Sequence, residues 1–402
     1  MPPSTDLPIT RRAALAAGVA AASTLAGCLS VEDIRDTINP RTHHSDAELG
    51  APPEPWPTAG HDARRTGSRE TETTLPESPT IERVGPGGDF YEGAPMVDAE
   101  AVYAPIWKQA QPEYVRAFVA TGRDGESRWR HDWSESSGAA APTLHGGTAF
   151  LTRAGETMAV DRLTGEIRWT YAAGTTGSTP TAVDDHLYLG ANSLLALDGA
   201  TGERLWRADD VPDHAGELAA TADTVFAESD GTLFAIDAAD GSVRWQTDLE
   251  QEAYGGPVVG EKMIAFMGSD GLLQVISRSD QSDRWTVQFD RAAQAPPAIA
   301  DGVVYVVDES PYACRAYDAA SGEELWDTDL GVGSEDRPAV DPETVYVPSE
   351  DTLDLLDRET GEIRRRIALD LDTFSQHAIA LADDAVFFVG IREGESGVYR
   401  VG

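Results

Sequence analysis

The sequence predicts an all-β fold: a single β-propeller of eight four-stranded blades, with seven as the alternative count. Three observations predict it. A tryptophan-terminated pattern recurs at steps of 37 to 41 residues from Trp129 to Arg365. Each step contains two turn signals set between short apolar runs. Gly 38 and Pro 24 in 402 residues favour many turns over long helices. Chance matches would not keep phase over so many copies.

Each part of the repeat has a physical task. The clearest copy runs Met158-Ala159-Val160-Asp161-Arg162-Leu163-Thr164-Gly165-Glu166-Ile167-Arg168-Trp169. Further copies end at Trp206, Trp245 and Trp326, and weaker ones at Trp129, Trp285 and Arg365. An apolar run such as Leu195-Ala196-Leu197 suits a strand packed on both faces. The aspartate accepts hydrogen bonds from the turn backbone, and the glycine four residues on permits positive φ. The next strand then presents an indole that covers ~200 Å² of neighbouring sheet. Trp129, Trp169, Trp206, Trp245, Trp285 and Trp326 are therefore read as blade-docking residues. A second hairpin precedes each of these, as in Pro297–Val307 around Asp301-Gly302. Four short strands in ~40 residues make a propeller blade.

The count of eight comes from the two ends of the chain. After Arg365 the sequence offers three strands, within Ala378–Val389 and Gly397–Val401, and lacks a fourth. Thr80-Ile81-Glu82-Arg83-Val84 resembles that missing outer strand, and joining the ends would close the ring and remove its exposed edges.

The pattern Ala-x-Asp-x-x-Thr-Gly-x-x-x-Trp resembles the repeat of the quinoprotein-type (pyrroloquinoline-quinone-like) β-propellers, over roughly residues 80–402. In that family the Trp docks one blade on the next. Two copies depart from the pattern. Ser277 and Gln281 stand at the Asp and Gly positions before Trp285, and Arg365 replaces a Trp, so looser blades are expected there. The resemblance raises a quinone-dependent dehydrogenase, with pyrroloquinoline quinone and calcium. Enzymes of that kind carry adjacent cysteines and a longer chain, whereas this sequence has two isolated cysteines, Cys28 and Cys314. Its length and plan are closer to the non-enzymatic lipoprotein branch, similar to the bacterial outer-membrane assembly lipoprotein. No cofactor and no enzymatic activity are expected, the quinone enzyme and a small-ligand or sugar sensor using the channel being the alternatives.

The N-terminus reads as an export address. Thr10-Arg11-Arg12-Ala13-Ala14-Leu15 resembles a twin-arginine signal, with Arg11 and Arg12 as its arginines, followed by an apolar run to Ala26. Leu25-Ala26-Gly27-Cys28 resembles a lipobox, which makes Cys28 the lipid-attachment residue. The run falls short of the ~20 apolar residues that a membrane span needs. The expected organisation is a signal peptide at 1–27, a flexible Pro-, Asp- and Glu-rich tether at 28–79, and a propeller at 80–402. Within the tether, Trp56–Gly67 resembles a segment that precedes propellers of this family and is a candidate to pack on the body. The expected location is the outer face of the cytoplasmic membrane, with a monomeric ring anchored through Cys28.

Charge bounds the partners. Lys+Arg 31 against Asp+Glu 69 gives −38, and only Lys108 and Lys262 are lysines. Carboxylates spread along a lysine-poor chain match proteins of salt-loving organisms, here of haloarchaeal type, where screening contracts to ~3 Å or less. Such a field argues against nucleic acid, whose phosphates need basic patches. There is no Gly-x-Ser-x-Gly elbow, phosphate-binding glycine loop, Cys-x-x-Cys or His-Glu-x-x-His. His43-His44 supplies too few fixed ligands for a metal, and Cys314 reads as a small buried apolar residue. No catalytic or metal site is therefore expected. The short Asp-x-x-Thr-Gly turns mark one trimmed face of the ring, and the variable loops share the other. The longest of these, Pro105–Tyr114, carries Trp107 and Tyr114; Trp133, Tyr254 and Tyr312 fall on the same side. Exposed aromatics are enriched at interface centres, so these five form the candidate interaction face for an unidentified protein partner.

Overall fold

The computed structural model describes residues 55–402 except 86–89, 92, 111–112, 134–138, 154, 175–177, 213–215, 283, 291–294, 309–311, 332–335, 350–351 and 375–378. At 55, 90, 108–110, 113–114 and 373–374 it describes the backbone alone. Arg11, Arg12 and Cys28 lie outside the described residues.

Among the described residues eight antiparallel sheets follow one another along the chain, each built on four strands ordered from the axis outward; the sheets of blades 1 and 8 carry further short strands, for six and five in all. Blade 2 is typical, with Thr143–His145, Thr148–Arg153, Glu156–Asp161 and Ile167–Ala172. The innermost strands of the other blades are Met96–Asp98, Thr181–Val183, Ala219–Ala220, Ala253–Val259, Ala298–Ala300, Ala339–Val340 and Ala380–Leu381. The outermost strands alternate exposed and buried, as in Ser127–Trp133, where Trp129 and Trp133 turn inward. The middle strands are buried on both faces, which is why they read as continuous apolar runs.

The ring closes as the two ends of the sequence predict. Ile81–Val84 pairs antiparallel with Glu395–Val401, Ile81 opposite Val401 and Val84 opposite Val398. The N-terminal strand thus becomes the outermost strand of blade 8, and neither chain end leaves a long unpaired edge there.

Blade-to-blade docking follows the repeat. The indole N–H groups of Trp129, Trp169, Trp206, Trp285 and Trp326 donate to Arg162, Gly199, Ala238, Ala319 and Arg358 carbonyls of the next blade at 2.9 to 3.1 Å. In each acceptor turn the carbonyl belongs to the residue after the repeat's aspartate. The turn glycine has two duties, illustrated by Gly202: its φ is +73°, and a Cβ there would sit 2.7 Å from the Trp169 ring. The turn that follows Trp245 carries Gln281 at φ 58°, and Trp245 remains half-buried, whereas Trp169 is fully enclosed.

Arg365 has a specific role rather than being a lost tryptophan. Blade 8 has no Asp-x-x-Thr-Gly turn, because its third and fourth strands come from opposite ends of the chain. A strap at Pro76–Glu77 takes the place of that turn, and the Arg365 guanidinium donates to the carbonyls of Pro76 (2.9 Å) and Glu77 (2.8 Å).

The segment expected to end the tether instead belongs to the ring. Pro55–Trp56 pairs with the innermost strand of blade 1, Trp56 opposite Val97. The chain then circles the axis. The carbonyls of Pro57, Ala63, Arg64, Thr66 and Gly67 accept the backbone N–H of Leu144, Ala220, Val259, Ile299 and Val340 at 2.7 to 2.9 Å. These donors occupy one equivalent position in blades 2, 4, 5, 6 and 7, each opposite the residue five positions on. Arg69 N–H returns a bond to Val340 O, and Thr74 N–H reaches Asp383 O in blade 8. Residues 56–74 therefore form an axial plug, and the body begins by Pro55 rather than at Thr80. Both Pro55 and the strap at 76–80 lie on the trimmed face, where the first-to-second and third-to-fourth turns gather.

Candidate functional site

Side chains lock the plug in place. Arg65 donates to Glu217 Oε2 at 2.8 Å, and Glu217 also accepts from the Thr179 backbone N–H and hydroxyl. The Arg69 guanidinium, 2% exposed, pairs with Asp383. Thr73 N–H donates to Asp341 Oδ2 at 2.8 Å, and the Tyr346 hydroxyl donates to the same oxygen at 2.9 Å. Burial pushes the Tyr346 hydroxyl well above its ordinary range, with the Asp341 charge adding to the effect. From blade 7, Arg337 reaches in and donates to the carbonyls of Arg65 and Pro297. Burial pulls its guanidinium down to about 9; Arg65 adds to the shift and Asp62 opposes it. The plug accommodates that side chain because Gly60 and Gly67 both lack a Cβ; at Gly67 it would lie 2.7 Å from Arg337 Nε.

Residues 56–74 thus span the trimmed mouth of the channel, bonded to the inner strands of blades 2, 4, 5, 6 and 7. Among the described residues no group of three or more His, Cys, Asp and Glu is placed to hold a metal ion. Cys314 is fully buried, and burial pushes its thiol well above the usual thiol range.

The opposite face carries the aromatic candidates. The segment 105–114, expected as a loop, is the end of a hairpin formed by Ala101–Ala110 and Glu113–Gly122. Its strands have ten residues each where blade 2 has six, so the tip projects by ~13 Å beyond a standard blade. A short strand, Phe90–Tyr91, pairs beside it, with Phe90 opposite Trp107. Trp107 is half-buried on this hairpin, and the side chain of Tyr114 lies outside the described residues. Tyr254 and Tyr312 are exposed at 44% and 41%. Trp133 corrects the reading: it is buried, packs 5.0 Å from Phe118, and lies beneath the Arg153 guanidinium. It belongs to the core between blades 1 and 2, which leaves Trp107, Tyr254 and Tyr312 as the described members of the candidate set.

One site escaped the sequence. A cavity of about 670 Å³ lies between the plug and the inner ends of blades 2, 3 and 4. Leu144, Ala182, Val183 and Ala220 give it an apolar floor; His61, Arg64, His145, Asp184, Asp223 and Arg278 bring polar groups to it. Burial holds the His145 imidazole below its ordinary range, with Asp184 opposing.

The sequence model of the family described as outer membrane protein assembly factor BamB matches residues 112–253, 190–310 and 229–386 in overlapping frames. The chain belongs to that family of propeller proteins. Among solved structures, BamB from Moraxella catarrhalis superposes with a TM-score of 0.56 at 17% identity, covering 80% of this chain and 97% of that one. Quinohemoprotein alcohol dehydrogenase from Comamonas testosteroni gives 0.63 at 13% identity, covering 86% and 80%. At these identities the superpositions show the shared fold alone. Serine/threonine-protein kinase AfsK of Streptomyces griseus is 30% identical over 155 residues, 34% of this chain and 19% of the kinase. The chain thus spans about a fifth of that relative's length.

Proposed function

We propose that the protein is a lipid-anchored interaction scaffold on the outer face of the cytoplasmic membrane, held by Cys28 and serving the assembly or quality control of surface proteins. The observation that carries this reading is the plugged axis. Residues 56–74 span the trimmed mouth of the ring, while the loop face offers the projecting blade 1 hairpin and, on blades 5 and 6 across the ring, exposed Tyr254 and Tyr312. The family, described by its outer-membrane assembly member, supports a role in protein contact. The test is affinity capture from crosslinked membranes in native-strength salt, beside a Trp107→Ala/Tyr254→Ala/Tyr312→Ala variant. A stoichiometric protein captured by the wild type and lost by the variant is the expected result. Recovery of nothing specific, or equal recovery by both, overturns the reading.

A further inference from the structure

The plug touches the ring unevenly. At blades 2, 4, 5, 6 and 7 one backbone N–H of the innermost strand donates to a plug carbonyl. Ala182 is the equivalent residue of blade 3, opposite Leu187. Among the described residues no plug carbonyl accepts from it. Between its contacts with blades 2 and 4 the plug folds back on itself instead. His61 N–H donates to Thr58 O, and Gly67 N–H donates to Gly60 O. This detour opens the 670 Å³ cavity, and Ala182 and Val183 line its floor.

The charges around the cavity are mostly paired. Arg64 sits 3.1 Å from Asp62, and Asp223 lies 3.0 Å from Arg244 and 3.6 Å from Arg278. Asp184 is the exception: it is exposed, lines the cavity, and makes no ion pair among the described residues. An occupant is therefore offered an apolar floor, one strand-edge donor and one carboxylate. Those are the features that the plug itself meets elsewhere with an extended chain, plus a demand for positive charge. The volume falls inside the range of about 300–1,000 Å³ common for ligand sites.

We infer that the cavity between blades 2 and 4 receives an extended peptide segment of a protein partner, with a backbone carbonyl on Ala182 N–H and a basic side chain against Asp184. The mode is strand addition to an inner edge, in which backbone bonds give affinity and one side-chain pocket gives selectivity. This rests on the scaffold reading and adds a second contact surface, on the trimmed face rather than the loop face. The overall −38 charge favours a cationic segment. In brine only the short-range pair with Asp184 escapes screening, so selectivity has to come from that contact.

The experiment uses the folded full chain and Gly-Val-Lys-Val-Gly-amide carrying fluorescein on its N-terminus, with the lysine amine free, read by fluorescence anisotropy in multimolar KCl. The expected result is saturable binding, at least tenfold weaker for the same peptide with Glu in place of Lys. Asp184→Asn is expected to remove most of that preference, and Ala222→Trp, at the exposed rim, to abolish binding, both with unchanged thermal unfolding. No saturable binding to the wild type overturns the inference, as does equal binding by Asp184→Asn. Lysine amide alone binding as tightly as the peptide would assign the cavity to a small cation instead. If peptide binding is absent while membrane capture still depends on the aromatic face, this inference falls and the scaffold reading stands.

Discussion

Replacing Arg365 by tryptophan restores the repeat's consensus, and it should destabilise the protein. Six other blades end in a tryptophan at this position, so a purely sequence-based argument expects a gain. The geometry gives the opposite sign. The next blade offers no aspartate–glycine turn for an indole; it offers the carbonyls of Pro76 and Glu77, each held by one guanidinium hydrogen bond. Hydrogen bonds to charged groups contribute about 1.5–3 kcal/mol each, and partial exposure places these at or below the low end. Losing both costs about 2 kcal/mol in all. At about 2.1 cal/mol/K of unfolding entropy per residue, a ring of about 350 residues then melts about 3 °C lower. Near-UV circular dichroism melts measure this, with Arg365→Lys expected to melt between the wild type and Arg365→Trp. Protease cleavage within 76–80 should also rise, because that strap is what the guanidinium holds. A higher melting temperature for Arg365→Trp than for the wild type would refute the reasoning.

Other perturbations test separate parts of the account. Trp169→Ala removes a fully buried indole and its bond to Gly199 O, and should cost about 3–5 kcal/mol in a denaturant titration, while half-buried Trp245 should cost clearly less on the same change. Gln281→Gly relieves a positive φ of 58° and removes a buried, unpartnered side-chain amide nitrogen, so a gain of about 1 kcal/mol is expected in the same titration. Gly67→Ala forces a Cβ against Arg337 and Ala298 at a φ of +67°, and should raise the rate of limited proteolysis near residues 56–74. Acid should loosen the blade turns. The carboxyls of Asp237, Asp318 and Asp357 are held below their ordinary value, chiefly by the Ala239 N–H, the Ser321 hydroxyl and the Thr360 N–H respectively. Because the folded values are depressed, this stabilisation is present above the unfolded value of about 3.9 and is lost as pH falls through the folded ones. A melting temperature flat from neutral pH to about 5 and falling below about 4 is the expected profile.

The ring itself was legible because its information is periodic and local. Turn aspartate, turn glycine and docking tryptophan repeat in phase, and Thr80–Val84 supplies the outer strand missing after Gly397–Val401. The role of Arg365 was not legible, since its acceptors belong to residues 76–77, which reach it only after closure. The plug was hidden for a related reason. One of its carbonyls accepts from each of several blades, so its contacts are scattered over 144 to 340 and leave no period in 56–74. Its signal was the resemblance of Trp56–Gly67 to a segment that precedes propellers of this family, inside an otherwise tether-like composition. Trp133 could have been placed from strand parity: it stands four residues after the docking Trp129, and an even spacing puts both on the inward face. The cavity at blade 3 depends on where the plug turns away from the sheet edge, which no residue pattern in either segment announces.

Backbone hydrogen exchange in the folded full chain tests the plugged axis most directly. Peptides covering 57–74, and the amides of Leu144, Ala220, Val259, Ile299 and Val340, should exchange as slowly as the middle strands of their blades, while Ala182 exchanges faster. Exchange of 57–74 within seconds, at the rate of an exposed tether, would show that the axis is open and would return the channel to consideration as a ligand site.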